Sequence, residues 1–365
     1  LGADGWLHHE RESWVRICGV WVPYPFQYNL HRLPKEQQLE CVNGLLTLHS
    51  NGTHAYTNFE DLIHRVFGVG VAKLFMLPYN YKVWAYPPSD LATGWIGERV
   101  AVPDLKKIME SVIFNQDNVS WGPNNTFRFP KHGGTGAIWR SVADHLPAEK
   151  IHYQRRIKEI DADAKVVRGD DGTESPYDAL ITTMPVDLLA RMLKLEGLKR
   201  ECDRLKFSTV HIIGVGLKGQ PSDEIAKKCW MYFPEDNSPF YRVTVFSNYS
   251  PNNVPDINRY WSLMAEISQS PKKEVNTERL IEDTIQGMIN TGLIESRDQV
   301  HHTWQQSIER GYPTPSLERD KALKTILPTL EKMGIYSRGR FGAWKYEVSN
   351  QDHSFMQGVE VIQHI

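Results

Sequence analysis

The chain has 365 residues, 41% of them hydrophobic, and its 42 basic and 44 acidic side chains give a net charge of −2. This length predicts two or three domains with cores of their own, and the balanced charge excludes an overall field that would attract nucleic acid or an anionic membrane. Four scattered cysteines without CxxC spacing argue against a disulfide framework or a zinc site, and without a secretion signal or a run near the roughly 20 apolar residues of a membrane span the sequence predicts a cytoplasmic protein.

The first predicted elements are a strand and a stiff loop. Residues 14–17 alternate apolar and polar side chains, as a strand does. The stretch at residues 21–29 contains Pro23 and Pro25, which do not suit a helix interior or a central strand. We therefore predict an extended loop there that displays aromatic rings and amides.

Helical periodicity dominates residues 31–118. A capping box at residues 57–60 opens one apolar helix, and Pro103 with Asp104 begins another. Between these helices lies a loop in which Gly94 and Gly97 precede Arg99. We interpret the region as a small helical bundle.

Strand patterns replace the helices further along the chain. Residues 150–185 suggest short strands around a hairpin turn at residues 169–172. Four longer strands, which we expect to be antiparallel, are predicted at residues 209–217, 229–233, 241–247 and 260–267. A helix over residues 277–290 follows, and residues 311–315 have the prolines of a stiff, ring-bearing turn.

One GxGxxG motif, formed by Gly214, Gly216 and Gly219, follows a strand. A dinucleotide-binding motif needs a helix that begins inside it, whereas Pro221 breaks the chain just after it. We therefore do not expect a pyrophosphate loop here, and replacing Gly219 should leave nucleotide affinity unchanged. GxxxxGK[ST], HExxH and GxSxG motifs do not occur, which argues against P-loop, zincin and hydrolase chemistry.

A distributed set of residues is more informative. Trp230 and Tyr232 fall on the same face of one predicted strand, and Arg242 lies in the next strand among apolar residues. A buried guanidinium needs a partner, and no acidic residue neighbours it in sequence. A bound phosphate would serve, and so would a carboxylate that is distant in the sequence.

The last stretch combines glycines, an arginine and a helix start. Gly339 and Gly342 flank Arg340, and a polar run precedes Phe355 where a helix is predicted to begin. Such a segment can form a site for an anion and a ring, or an ordinary surface loop that caps the C-terminal helix.

Six motifs, in order from Trp14 to Ile365, closely resemble those of the eukaryotic, fungal-type UDP-galactopyranose mutases. The motifs are WVPYPFQ (21–27), PYNYKVWA (78–85), WGPN (121–124), CWMYFPED (229–236), GYPTP (311–315) and GRFGAW (339–344).

The resemblance implies a mixed α/β fold with a flavoprotein-type FAD domain, a helical bundle domain and an antiparallel β-sheet substrate domain. The implied activity interconverts UDP-galactopyranose and UDP-galactofuranose through a flavin N5–sugar adduct, in galactofuranose biosynthesis for a cell wall. Reduced FAD would be the active cofactor, with NADPH as reductant. On this plan the segments are residues 1–30 (remnant of the FAD domain and uridine loop), 31–118 (helical bundle), 119–190 (FAD-domain strands and linking helix), 191–330 (sheet domain with a helix) and 331–365 (FAD-contacting segment and helix).

The resemblance also implies roles for single residues. Substrate residues would be Tyr24, Phe26, Gln27 and Asn80 for the uracil, Arg99, Tyr232, Arg242, Tyr312 and Tyr346 for the pyrophosphate, and Trp84, Asn124 and Trp230 for the sugar. Arg99 and Arg242 would stabilise the departing UDP, and no metal is implied. Flavin contacts would come from Ile157, Gly339, Arg340, Asn350, Gln351 and Ser354. The implied partner is UDP-galactose, with no nucleic acid or membrane, and a homo-oligomer is left open.

Members of the family begin with a βαβ unit that carries the GxGxxG motif, and this chain has no such segment before Trp14. The sequence therefore leads us to expect a truncated chain or one that has lost its flavin. Two alternatives to an active mutase stay open: a flavin amine-oxidase-like oxidoreductase, and a non-catalytic remnant that binds UDP-sugars. An apolar amine-oxidase cage would not need Arg99 and Arg242.

Overall fold

A seven-stranded sheet organises the first of two units in the computed structural model, which describes residues 1–48, 55–97, 100–119, 125–348 and 350–365. Unit 1 comprises Leu1–Thr93, Glu98–His145 and Ser208–Gly311, and unit 2 comprises Gly94–Gly97, Leu146–Phe207 and Tyr312–Ile365. In order across the sheet, the strands are β13 (Val300–Thr314), β9 (Lys206–Lys218), β12 (Tyr260–Gln269), β11 (Arg242–Val245), β10 (Trp230–Tyr232), β2 (Ser13–Ile17) and β3 (Val20–Pro23).

The four strands predicted around residues 209–267 are confirmed, and β9, β12, β11 and β10 pair antiparallel in that order. Residues 1–30 contribute two of the seven strands. Strand β2 pairs parallel with β10, and β3 continues the sheet antiparallel to β2. The finer division of the chain into five segments stays a prediction.

Side chains along each strand point alternately to the two faces of this sheet, and the apolar ones bury one of these faces. Met231, Val243 and Leu263 point to a core that also contains Leu280 and Met288 of helix α8 (Leu280–Asn290). Because successive strand residues face opposite sides, Trp230, Tyr232 and Arg242 lie on the other face. The sheet thereby collects polar and aromatic candidates on one surface.

The prediction of a proline-stiffened turn at residues 311–315 was wrong for most of that segment. Gly311–Thr314 are the last residues of the 15-residue strand β13. Pro313 is compatible with this strand because β13 lies at the edge of the sheet, where a missing N–H need not break a ladder.

Helices and a two-stranded antiparallel sheet, formed by β1 (Trp6–Glu10) and β4 (Thr126–Pro130), complete unit 1. The helices are α1 (Lys35–Leu48), α2 (Phe59–Val71), α3 (Leu77–Trp84), α4 (Leu105–Phe114) and α5 (Gly136–Ala143). Asn58 caps α2 by accepting from Asp61 N, and Asp104 caps α4 by accepting from Lys106 N and Lys107 N. The start of α4 confirms the signal at Asp104, whereas the cap of α2 is Asn58, one residue after the Thr57 of the predicted capping box.

The helical segment Phe59–Trp84 comprises α2, α3 and the turn between them. By length and composition it could cross a membrane, contrary to the expectation that no apolar run approaches the length of a membrane span. Of its most apolar window, 44% is buried inside the structure, and buried helices of soluble proteins pass the same test. This helix is therefore weak evidence for a membrane span.

Gly70 lies where α1 and α2 approach each other closely. A Cβ built on Gly70 would lie 2.6 Å from the backbone N and Cα of Cys41. We expect Gly70→Ala to lower the free energy of unfolding by about 1–3 kcal/mol, since one backbone must move. Gly358→Ala is the control, because nothing lies within 4 Å of its added Cβ and helix propensity should raise stability by about 0.5–1 kcal/mol. Urea unfolding followed by circular dichroism measures both, and equal effects would contradict the close contact.

Unit 2 contains two small sheets and five helices in its described residues. Strands β5 (Ile157–Asp161), β6 (Val166–Gly169) and β7 (Glu174–Pro176) form a meander, which confirms the predicted hairpin turn, while β8 (Leu180–Thr182) pairs parallel with β14 (Ile335–Ser337). The helices are α6 (Val186–Met192), α7 (Lys199–Asp203), α9 (Arg319–Glu331), α10 (Gly339–Gly342) and α11 (Gln351–His364). Their core includes Leu189, Ile326, Leu330, Ile335 and Trp344.

Candidate functional site

Five aromatic rings form a continuous ladder in unit 1. Phe26 stacks on Phe75 at 4.8 Å between ring centroids, and Phe75 stacks on Tyr79 at 5.1 Å. Tyr232 meets Tyr79 edge to face at 5.5 Å and contacts Tyr24 at 5.4 Å. Phe26 is fully buried whereas Tyr24 is half-buried, so the ladder leads from the core to the surface. We call these five residues the ring ladder; Phe75 and Tyr79 were not in the predicted site.

A buried asparagine holds the loop that carries Tyr24 and Phe26. Asn29 donates to the carbonyl oxygens of Pro23 (3.1 Å), Pro25 (3.0 Å) and Asn118 (2.9 Å), and its Oδ1 accepts from Asn118 N at 2.7 Å. Asn29 is 0% exposed, so its amide is committed to the backbone. The loop is fixed by these bonds as well as by its prolines.

Three of the predicted substrate residues are largely committed to the fold. Gln27 is buried and its Nε2 donates to Ala101 O at 2.5 Å. Asn80 donates from Nδ2 to Met76 O at 2.7 Å, whereas its Oδ1 has no hydrogen bond within the described part of the chain. Trp84 is 2% exposed and lies in the core. Asn80 Oδ1 is therefore an acceptor that a ligand can use, and the role of Trp84 stays a prediction.

Arg242 has a carboxylate partner, Glu266, which lies directly opposite it on β12. Arg242 Nε and Nη2 donate to Glu266 Oε1 and Oε2 at 2.8 and 2.7 Å, and Tyr241 OH donates to Oε2 at 2.8 Å. The side chain of Glu266 is 9% exposed and that of Arg242 is 29% exposed. The second alternative from the sequence, a carboxylate distant in the chain, is thus realised, and it orients a partly exposed guanidinium beside Tyr232, its cross-strand neighbour on β10.

Arg11 is a second cation at this surface, and no sequence pattern suggested it. Its guanidinium carbon lies 5.5 Å from the ring centre of Tyr24 and 5.4 Å from that of Trp230. Its Nε donates to Ser13 Oγ at 2.9 Å. Arg11, Ser13 and Tyr24 also line a cavity of about 400 Å³, and Asn125 is another of its lining residues. Arg11 thus joins two predicted substrate residues by cation–π contacts.

Lys82 is a buried ammonium behind the same surface. Its Nζ donates to the carbonyl oxygens of Glu235 at 2.7 Å and Ser238 at 2.9 Å. Burial, and next the charge of Lys273, lower the pKa of Lys82 from 10.5 to about 7. Burial lowers the pKa of Lys273 to about 8. Both lysines therefore change charge between neutral and moderately alkaline pH in the folded chain.

These two lysines predict a pH dependence of stability. Between pH 7 and about 10 the unfolded chain binds protons that the folded chain has released, so the free energy of unfolding should rise with pH, by at most about 1.4 kcal/mol per pH unit for each lysine. Urea unfolding at pH 6 to 9 measures the slope. Lys82→Met should reduce it, while Lys272→Met, at an exposed position, should not. A wild-type curve that is flat above pH 7 would contradict the lowered pKa values.

The GxGxxG motif lies in strand β9, not at a helix start. Gly214 pairs with Met264 and Gly216 with Ser262 of β12. Gly219 follows the strand with φ +82°, and its N donates to Arg259 O at 2.9 Å. This confirms that the motif is not a pyrophosphate loop.

In unit 2, Arg340, Tyr312 and Tyr346 form one cluster. The guanidinium carbon of Arg340 lies 5.5 Å from the ring centre of Tyr312, whose ring meets Tyr346 edge to face at 5.5 Å. Trp95, which the sequence did not suggest, contacts Tyr346 at 6.1 Å. The structure therefore brings an arginine assigned to the flavin and two tyrosines assigned to the pyrophosphate together.

The remaining predicted cofactor residues lie near the ends of β14 and α11 or on β5. Gly339 has φ +84°, and its N donates to Gln357 Oε1 of α11 at 2.8 Å. Asn350 occupies the N-cap of α11 without a side-chain bond, and Gln351 and Ser354 belong to its first turn. Ile157 begins β5, with its side chain against the core of unit 2.

Two buried polar atoms in this region have no hydrogen-bond partner among the described residues: Ser337 Oγ, at the end of β14, and His353 Nδ1, in the first turn of α11. The carboxyl ends of parallel strands and the N-terminus of a long helix are places where proteins bind polar and anionic groups of nucleotides. These residues fit a cofactor with polar edges and phosphates. Arg99 and Asn124 lie outside the described residues.

The sequence profile of the flavin-containing amine oxidoreductases matches residues 49–348. A crystal structure of reduced UDP-galactopyranose mutase is 48% identical and matches over 99% of this chain and 78% of that chain, with a TM-score of 0.95. A protein from Exiguobacterium sp. 255-15 assigned as a protoporphyrinogen oxidase is 12% identical, with a TM-score of 0.70 over 99% of this chain and 82% of that one. A fatty acid isomerase from P. acnes is 10% identical, with a TM-score of 0.60 over 98% and 80%. The last two share the fold alone, and the predicted mixed α/β flavoprotein fold is confirmed.

Proposed function

Since the chain belongs to the UDP-galactopyranose mutase family, within the flavin-containing amine oxidoreductases, we propose that it is a flavin-dependent isomerase that interconverts UDP-galactopyranose and UDP-galactofuranose. The observation that carries the proposal is the pairing of Arg242 with Glu266 next to the ring ladder. An oriented guanidinium beside stacked rings suits a ligand with a diphosphate and a planar base.

The uracil end would bind between the ring ladder and Asn80. Uracil has one N–H donor in its ring, and Asn80 Oδ1 is an acceptor without a hydrogen bond in the described part of the chain. Tyr24 and Tyr79 are half-buried and offer ring faces or edges for stacking. Phe26 and Gln27 are buried and would act by supporting this surface.

The diphosphate would bind at Arg242. Negative charge grows on UDP as its bond to the sugar breaks, and a guanidinium held in place by Glu266 can stabilise that charge without first reorienting. Tyr232, directly across from Arg242, would add a hydroxyl donor. Arg99 would be a further cation for the pyrophosphate, as the resemblance implies.

Unit 2 would hold FAD through Arg340, Gly339 and the first turn of α11, where His353 Nδ1 has no partner among the described residues. In its reduced form FAD supplies a nucleophile for the anomeric carbon, so the protein needs none of its own. The tasks left to the chain are to orient the sugar and to stabilise UDP.

The proposal is tested by reducing the purified protein with NADPH or dithionite, adding UDP-galactofuranose and separating the products by chromatography. UDP-galactopyranose should form under reducing conditions and not with oxidised protein. A yellow protein that binds UDP without any conversion would contradict the proposal. A colourless protein that binds UDP would indicate a UDP-sugar-binding remnant, and oxidation of an amine would indicate an oxidase.

A further inference from the structure

The ammonium group of Lys82 makes all of its described hydrogen bonds within unit 1. Lys82 is 7% exposed, and its Nζ donates to Glu235 O at 2.7 Å, to Ser238 O at 2.9 Å and to Ser238 Oγ at 3.4 Å. An ammonium has three N–H donors, and these three oxygens match them in number. Lys82 is therefore a saturated cross-link and not a free cation waiting for a ligand.

The elements that Lys82 joins carry different parts of the candidate site. Lys82 lies in α3, two residues after Asn80. Residues 233–241, which include Glu235 and Ser238, form the hairpin loop between β10, which ends with Tyr232, and β11, which begins with Arg242. The ammonium thus ties the helix that presents an acceptor for uracil to the hairpin that presents groups for the diphosphate.

Two further bonds hold the same helix against β12 and the chain just after it. Ser268 Oγ donates to Lys82 O, and Ser270 Oγ donates to Ala85 O at 2.5 Å. Ser268 follows Glu266, the partner of Arg242, by two residues on β12. The two serine hydroxyls thus hold the end of α3 near β12, and Lys82 Nζ connects the same helix to the hairpin loop.

We propose that Lys82 is a positioning residue that sets the distance between the uracil-binding and the diphosphate-binding surfaces of unit 1. This inference rests on the proposed function. UDP gains affinity when both of its ends bind at once, because the second contact is then intramolecular. A shift of the hairpin relative to α3 would remove that gain and leave each surface intact.

The test compares UDP with its two fragments, uridine and inorganic pyrophosphate, by calorimetric titration of the full chain at pH 6. In Lys82→Met, UDP affinity should fall about tenfold to a hundredfold, while the affinities of uridine and of pyrophosphate stay within twofold. Lys82→Arg keeps a cation and should recover part of the loss. Lys273→Met is the matched control, since this lysine donates to Ser268 O and not to the hairpin loop.

Equal losses for UDP and for both fragments, or unchanged UDP affinity in folded Lys82→Met, would overturn the positioning role. If Lys82→Met fails to fold, Ser238→Ala removes one acceptor at a residue that is 5% exposed. It should weaken UDP binding severalfold without affecting the fragments, and unchanged UDP binding would overturn the inference. Wild-type protein that does not bind UDP would instead refute the proposed function.

Discussion

Arg242→Ala is expected to weaken UDP binding about 30- to 150-fold, corresponding to about 2–3 kcal/mol for a charge-assisted contact. The substitution removes a partly exposed guanidinium and leaves Glu266, whose side chain is 9% exposed, without its bidentate partner. The remaining carboxylate would also repel an anionic ligand. Calorimetric titration with UDP measures the loss.

A double variant separates these two causes. In Arg242→Ala with Glu266→Gln, the carboxylate charge is gone, so any loss of UDP affinity that persists comes from the missing guanidinium. We expect at least a tenfold loss to persist, because the direct contact accounts for most of it. Wild-type affinity in the double variant would assign Arg242 to a structural ion pair.

Arg319→Met is expected to lower stability by about 3–5 kcal/mol, the largest stability change that we predict. The side chain of Arg319 is 1% exposed and donates to Glu347 Oε1 and Oε2 at 2.8 and 2.9 Å and to Asp320 Oδ1 at 2.8 Å. Removing it leaves Glu347, which is 20% exposed, without this partner in unit 2. The pair also links α9 to the turn Tyr346–Val348, so the position of Tyr346 should change with it.

Urea unfolding measures this effect, with Arg297→Met as the matched control. Arg297 and Glu282 form an ion pair whose side chains are 58% and 54% exposed, so its loss should cost less than about 1 kcal/mol. Comparable losses of unfolding free energy in both variants would show that the buried Arg319 pair stabilises the protein no more than an exposed ion pair does. Adding Glu347→Gln to Arg319→Met should restore part of the stability, because it removes the negative charge that the Arg319 guanidinium balances in the wild-type protein.

The sequence predicted those parts of the fold that local patterns determine. The strands around Met231, Val243 and Leu263 have the alternation of a half-buried sheet, and Asp104 is a helix cap that can be predicted from its position after Pro103. Strand β13 was missed because it lies at the sheet edge, where side chains are mostly polar and a proline is compatible with the pairing.

Contacts between residues that are distant in the chain could not be predicted from the sequence. Glu266 follows Arg242 by 24 positions and becomes its neighbour through the register of β11 and β12. Arg11 lies far along the chain from Trp230, yet the parallel pairing of β2 with β10 brings their chain segments together. The resemblance supplied Asn80 and the roles of Tyr232 and Arg242, whereas the groups that hold these residues became visible in the structure alone.

The ring ladder also bears on the entropy of binding. Each of its five rings contacts another ring at 4.8 to 5.5 Å, and the innermost, Phe26, is fully buried. The neighbouring rings already restrict the rotamers of Tyr24 and Tyr79. These two side chains therefore lose little conformational entropy when a ligand binds. A truncation deep in the ladder, such as Phe75→Ala, would loosen the rings at the surface, so a residue that never touches the ligand would change how much order the ligand has to impose.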